Sequence, residues 1–155
     1  MRTASLKDLD ALLALEQVCY PPNQAYTRAE YRYALAKGKA VNLIYDDPAP
    51  SGAPPSPTLL GFIGAFHHRA WHIGHIYTVN VHPTAQGKGL GARLMQACHD
   101  ELRAMGMTRC LLEVNVENAS AMRLYEKCGY ARTQLLKDYY TQYRINDAWQ
   151  YVIGL

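Results

Sequence analysis

Val79-Asn80-Val81-His82-Pro83-Thr84-Ala85-Gln86-Gly87-Lys88-Gly89-Leu90-Gly91 carries a β-branched strand into a glycine-rich turn, and the turn opens an amphipathic helix. Glycines at 87, 89 and 91 let the backbone come close to a ligand. The first N–H groups of a helix have no partner within it, and with the helix dipole they favour an anion such as a pyrophosphate. Lys88 and Arg93 could add charge. The same residues also describe a strand-to-helix turn that binds nothing. Two other phosphate motifs fit badly. A P-loop needs Ser or Thr directly after Gly-Lys, and here Gly89 follows Lys88. A dinucleotide fingerprint needs G-x-G-x-x-G, whereas this run is G-x-G-x-G.

Upstream, Ser5-Leu6-Lys7-Asp8 and Thr27-Arg28-Ala29-Glu30 each set a hydroxyl three residues before a carboxylate, predicting two helix starts with Pro21-Pro22 between them. Strands are predicted near Ala40 to Tyr45, at Leu59–Phe66 and at His75–Val81. Residues 46–58 hold five of the eight prolines and no large apolar residue, which reads as a solvated loop within the domain. Downstream, Leu90, Leu94, Ala97, Cys98, Leu102 and Met105 form an apolar helical stripe that Gly106 can end. Cys110–Val114 reads as a buried strand, Asn118 as the cap of a helix carrying Met122 and Tyr125, and Trp149, Tyr151 and Ile153 as a last strand. The order predicts an α/β fold: a mixed sheet with helices on both faces.

The 155 residues fit one domain, spanning 1–155. An excess of three basic over acidic residues suits an anionic small ligand and is too mild to argue for nucleic acid. No apolar run approaches the ~20 residues of a membrane helix, and the expectation is no membrane partner. Cys19, Cys98, Cys110 and Cys128 form no C-x-x-C pair, which points away from disulfides and toward a reducing, cytoplasmic setting. Composition and motifs leave the oligomeric state open.

A second block reads Leu111-Leu112-Glu113-Val114-Asn115-Val116-Glu117-Asn118-Ala119-Ser120-Ala121-Met122-Arg123-Leu124-Tyr125-Glu126-Lys127-Cys128-Gly129-Tyr130. A third runs Leu136-Lys137-Asp138-Tyr139-Tyr140, followed by Asp147-Ala148. With Val81-His82-Pro83 and the Gln86, Gly89 and Gly91 run, these resemble the acetyl-CoA loop and the L-E-V and Y-Y blocks of the GNAT superfamily. The resemblance is greatest to its ribosomal-protein alanine N-acetyltransferase (RimI-like) group. It covers residues 75–150, and implies the GNAT fold, with a mostly antiparallel central sheet. Asn115 stands where the family commonly has a basic residue, and neither the 46–58 insertion nor the stretch between Tyr140 and Asp147 follows the family pattern.

By spacing alone Glu113 reads as a surface carboxylate on one face of a strand, opposite Leu112 and Val114, and Tyr125 as a core tyrosine. The resemblance implies more. Glu113 would be the general base for the amine, and Tyr125 the general acid for the leaving thiolate. Acetyl-CoA would be the co-substrate, held by Val79, Val81, Gln86, Gly87, Lys88, Gly89, Gly91 and Asn118. No metal is expected: His67, His68, His72 and His75 fall close together around Trp71 but lack a carboxylate or Cys among them, and read as exposed or rim residues. His82 and His99 read as incidental. Tyr139 and Tyr140, with Tyr31, Tyr26 and Pro21-Pro22 opposite, predict two walls of a slot for an extended chain end, although the same tyrosines could simply cover the core edge. The expected acceptor is the α-amine of a peptide or protein N-terminus. The alternatives are a small amine (polyamine, antibiotic or amino acid) and a non-catalytic coenzyme A sensor.

Overall fold

The computed structural model describes residues 1–22, 24–36, 38, 40–46, 59–140 and 147–155. The elements are β1 (Arg2–Thr3), α1 (Leu9–Cys19), α2 (Arg28–Ala36), β2 (Ala40–Asp46), β3 (Leu59–His68), β4 (Ile73–Val81), α3 (Leu90–Ala104), β5 (Arg109–Asn115), α4 (Ala119–Lys127), β6 (Ala131–Leu136) and β7 (Ala148–Gly154). They form one seven-stranded sheet in the order β1-β2-β3-β4-β5-β7-β6. Among the described residues only β4 and β5 pair in parallel. The expected mixed, mostly antiparallel sheet is present. The proline-rich loop lies outside the described residues apart from Asp46.

Local chemistry sets the helix ends. Asp8 accepts from the Ser5 N–H at 2.8 Å, but this capping box closes a single 3-10 turn, Leu6–Asp8, before α1 begins. Arg2 also binds Asp8, at 2.7 Å. At α2 the predicted box forms: the Thr27 N–H donates to Glu30 at 2.7 Å and the Glu30 N–H donates back to the Thr27 hydroxyl at 3.3 Å. Gly106, at φ +83°, follows the end of α3, and the Asn118 side-chain Oδ1 accepts from the Ala121 N–H at 3.1 Å to cap α4.

Two apolar clusters hold the helices to opposite faces. Leu90, Leu94, Met95, Cys98 and Leu102 of α3 join Tyr125 of α4 over Ile63, Ile76, Leu112 and Val114. Leu9, Leu12 and Leu15 of α1 join Tyr31 of α2 over Ile44 and Phe62. His99, read from sequence as incidental, is a core residue: its Nε2 lies 2.8 Å from the Tyr130 hydroxyl, and burial, reinforced by Arg103, pushes the imidazole down to about 4. His67 is likewise buried, not exposed as its sequence context predicted.

A bulge in β4 places the cleft. Gly64 faces Thr78 and Ala65 faces Ile76, so Tyr77 is an extra residue on β4. A bulge bends its strand and strengthens the local twist. β4 meets β5 at only three pairs, Ile73 with Arg109, Gly74 with Cys110 and His75 with Leu111, and the two then diverge. The Tyr77 ring lies across Gly64, where an added Cβ would stand 2.1 Å from a ring carbon, and its hydroxyl donates to Asn42 at 2.6 Å. Asn42 in turn donates to the Ala34 carbonyl of α2 at 3.1 Å. Gly64→Ala must therefore displace Tyr77, and is expected to cost about 1–3 kcal/mol of stability. Urea unfolding checks this, and an unchanged midpoint would mean that the ring is free to move.

Candidate active site

Where β4 leaves β5, its backbone lacks a strand partner on one side. The His82 N–H donates to the Leu60 carbonyl at 2.8 Å, so by antiparallel alternation Val79 and Val81 turn their backbone groups away from β3, toward the cleft. Side chains take the carbonyls. The Tyr26 hydroxyl donates to Tyr77 O at 3.0 Å and the Tyr20 hydroxyl to Val79 O at 3.3 Å. The Gln86 amide donates to Val81 O at 3.1 Å, joined there by the Cys19 thiol at 3.5 Å. Gln86, expected at the cofactor loop, thus ties that loop to the end of β4.

The cleft opens into a cavity of about 750 Å³ whose lining includes Glu113, Tyr125, Asn118, Val79, Tyr139 and Tyr140. Glu113 projects into it while Leu112 and Val114 enter the core, as strand alternation predicts. Among the described residues three side chains reach its carboxylate. His75 Nε2 lies 2.6 Å from Oε2, the Tyr139 hydroxyl donates to Oε2 at 3.2 Å, and the Gln150 amide donates to Oε1 at 3.2 Å. Burial pulls the Glu113 pKa upward, but the bonds from His75, Gln150 and Tyr139 and the charge of His75 outweigh it and hold it below the usual carboxylate range. Burial and the Glu113 charge push the Tyr139 phenol up to about 12. The Tyr140 hydroxyl reaches the Glu113 carbonyl at 3.4 Å, and its ring meets that of Tyr139 edge to face at 4.9 Å. Asp147 explains part of the third motif: it accepts from the Asp138 N–H at 3.0 Å and so holds together the two ends of the segment carrying both tyrosines.

Tyr125 is buried, its ring packed against Tyr130 and Tyr151, and burial, with Cys128 nearby, raises its pKa. Asn118 both caps α4 and lines the cavity. Gly87 and Gly89 stand at φ +72° and +79°, where a side chain is strained, and a Cβ at either would meet nothing within 4 Å. The space beside them is open, as a cradle for a bulky anion requires. Lys88 curls onto the loop, donating to Thr84 O at 2.8 Å. Gly91 has a packing role: a Cβ there would stand 3.0 Å from Leu124, so the start of α3 lies against the helix that carries Tyr125. The cradle and the cleft therefore adjoin.

One expected site residue lies elsewhere. Tyr31 is 1% exposed and its hydroxyl donates to Glu16 at 2.5 Å, so it belongs to the core beneath the cleft and not to its wall. Of the wall expected with it, Tyr26 lines the cavity and Pro21-Pro22 do not, and Tyr20 stands beside Tyr26 in the lining. Helical periodicity around Tyr31 carried this signal, because it shares a face with Ala34, which is also buried. Glu16 also accepts from the Tyr26 N–H at 2.8 Å and from the Asn80 amide. His75, read as a rim histidine, proves to be the partner of Glu113. Nothing local in the sequence announced that pairing, since it depends on which strand lies beside β4.

The family model described as Acetyltransferase (GNAT) family matches residues 9–130. The chain belongs to the GNAT acetyltransferase family. A mycothiol acetyltransferase of Streptosporangium roseum is 47% identical to this GNAT chain over 60 residues, 39% of this chain and 18% of that one. The chain spans about a fifth of the length of the first curated relatives it matches. The ribosomal-protein alanine N-acetyltransferase of Escherichia coli superposes with a TM-score of 0.83 at 21% identity, covering 99% of this chain and 91% of that one. Ard1 of Thermoplasma volcanium superposes with a TM-score of 0.83 at 22% identity, covering 99% and 95%. The fold is the GNAT fold.

Removing the Tyr139 hydroxyl and the Gln150 amide together leaves Glu113 buried with fewer donors. Tyr139→Phe with Gln150→Leu is therefore expected to raise the Glu113 pKa, read by carboxyl-carbon NMR titration. An unmoved titration would show that these two bonds do not hold the carboxylate.

Proposed function

We propose that this chain moves an acetyl group from acetyl-coenzyme A to an amine by direct attack, and that the acceptor is the α-amine of a peptide or protein N-terminus. The observation that carries the reading is that Glu113 and Tyr125, from different elements, line one cavity where β4 departs from β5. The coenzyme, when bound, supplies a thioester carbonyl and a thiolate leaving group. The residues from Gln86 to Gly91 and the start of α3 suit its pyrophosphate, and the cleft-facing backbone of Val79 and Val81, with Asn118, suits its arm.

Glu113 takes the proton that the acceptor nitrogen loses as the C–N bond forms. A carboxylate held below its usual range is ionised throughout the neutral region, so it is always ready to accept. It is a modest base, better matched to an α-amine of pKa ~8 than to a lysine side chain of ~10.4. Tyr125, held protonated by burial, gives its proton to sulfur as the C–S bond breaks, and recovers one from solvent. Nothing in this scheme needs a nucleophilic cysteine. Burial, with Glu16 nearby, pushes the Cys19 thiol beside the cleft up to about 11, which keeps it protonated.

Charge and shape support the acceptor assignment. Glu30, Glu113 and Glu117 line the cavity, and no Lys or Arg stands among its described lining residues, so a cationic amine is favoured. Phenols from Tyr20, Tyr26, Tyr139 and Tyr140 stand in the same lining and can bond an extended chain end. The likeness to mycothiol acetyltransferases favours a second reading, a small-molecule amine.

Acetyl-CoA turnover against Ala-, Ser- and Met-initiated peptides and against spermidine separates the two, with mass spectrometry locating the acetyl group. Peptide α-amines are expected to be modified, and acetylation of spermidine alone would reject the peptide reading. With the best acceptor, Glu113→Gln is expected to lower kcat about 10²–10⁴-fold while sparing acetyl-CoA binding. Native turnover in that variant would remove the base assignment.

A further inference from the structure

His75 stands outside the lining of the cavity, yet it makes the shortest contact to the group that would take the proton, 2.6 Å from its Nε2 to Glu113 Oε2. The two side chains are 31% and 8% exposed, so the imidazole is the more open member of the pair. Its backbone is fixed: His75 is the last residue of β4 paired with β5, opposite Leu111, and on its other side it faces Phe66 of β3. The rung that ends the ladder therefore also places this histidine beneath the cleft.

A neutral imidazole with its proton on Nε2 donates to a carboxylate, and an imidazolium does so while adding a full charge. Both forms orient Glu113. Only the charged form also disfavours protonation of the carboxylate. We propose that His75 is a positioning residue for the transfer: its Nε2–H aims the Glu113 carboxylate at the cleft, toward the acceptor whose proton it takes. The inference rests on Glu113 acting as the base.

The pair belongs to a wider cluster of described residues. Tyr139 and the Gln150 amide of β7 also reach the Glu113 carboxylate, each at 3.2 Å, and the Tyr140 hydroxyl reaches the Glu113 carbonyl at 3.4 Å. Phe66 of β3 faces His75, and Tyr77, on the same strand as His75, sends its hydroxyl to Asn42. His75 makes the shortest of the contacts to the carboxylate, so the orientation of Glu113 depends on it most.

The test is kcat and the acetyl-CoA KM with an Ala-initiated peptide, or with spermidine if that is the better acceptor. His75→Gln keeps an amide donor near the Nε2 position and is expected to stay within about 3-fold of native kcat at the native acetyl-CoA KM. His75→Leu, with no donor, is expected to lose about 10-fold in kcat with the acetyl-CoA KM unchanged. Native kcat in His75→Leu overturns the proposal, as does a folded His75→Gln that loses as much kcat as the leucine variant. If the leucine variant fails to fold, the glutamine variant decides. Glu113→Gln separates the layers. Native turnover there removes both the base assignment and this inference, whereas an impaired Glu113→Gln beside a native-like His75→Leu removes His75 alone.

Discussion

A parallel pair of strands that gives up its ladder after three residue pairs leaves backbone groups facing no strand, and the arrangement of the cleft follows from how those groups are satisfied. A buried carbonyl without a donor costs about 1–3 kcal/mol. Here the carbonyls of Tyr77, Val79 and Val81 find donors from Tyr26, Tyr20, Gln86 and Cys19. Those donors come from the end of α1, the segment leading into α2, and the glycine-rich loop. The divergence of β4 from β5 thus organises three separate parts of the chain around one opening. The bulge at Tyr77 stands just beyond the last paired rung, and the packing of its ring on Gly64 holds the bend in place.

The electrostatics of the opening have a similar economy. Glu113 is kept charged by neighbours drawn from β4, β7 and the tyrosine pair, while Tyr125 is kept neutral by burial. Two groups whose environments push their protonation states apart are what a proton-accepting and a proton-donating role require. Neither side chain achieves this alone, and the partners of Glu113 lie between 26 and 38 residues away in the chain.

That separation explains what the sequence could reveal. The glycine run, the Asn118 cap and the alternation around Glu113 are local patterns whose physical reasons lie within a few residues, and the structure bears out their geometry. The apolar stripe of α3 and the order of elements along the chain were legible for the same reason. The bulge at Tyr77 was not, because no glycine or proline marks it in β4; the glycine that permits it is Gly64, on the facing strand. The pairing of His75 with Glu113 was hidden behind a crossover through α3. Tyr31 was misplaced because a tyrosine reads equally well as a wall or as a core residue, and its partner, Glu16, is a buried carboxylate in a helix that otherwise reads as amphipathic.

Glu16 carries a consequence of its own. One carboxylate on α1 accepts from Tyr31 on α2, from the Tyr26 backbone between the two helices, and from Asn80 on the bent strand. Stripping the one acceptor from these three donors would disturb all three segments at once, so the helical pair and β4 behave as one riveted plate. A mouth built on such a plate has its shape before any guest arrives. Little ordering entropy remains to be lost on that side when an acceptor docks, and discrimination among acceptors falls to contour and charge, with closure of that wall contributing little.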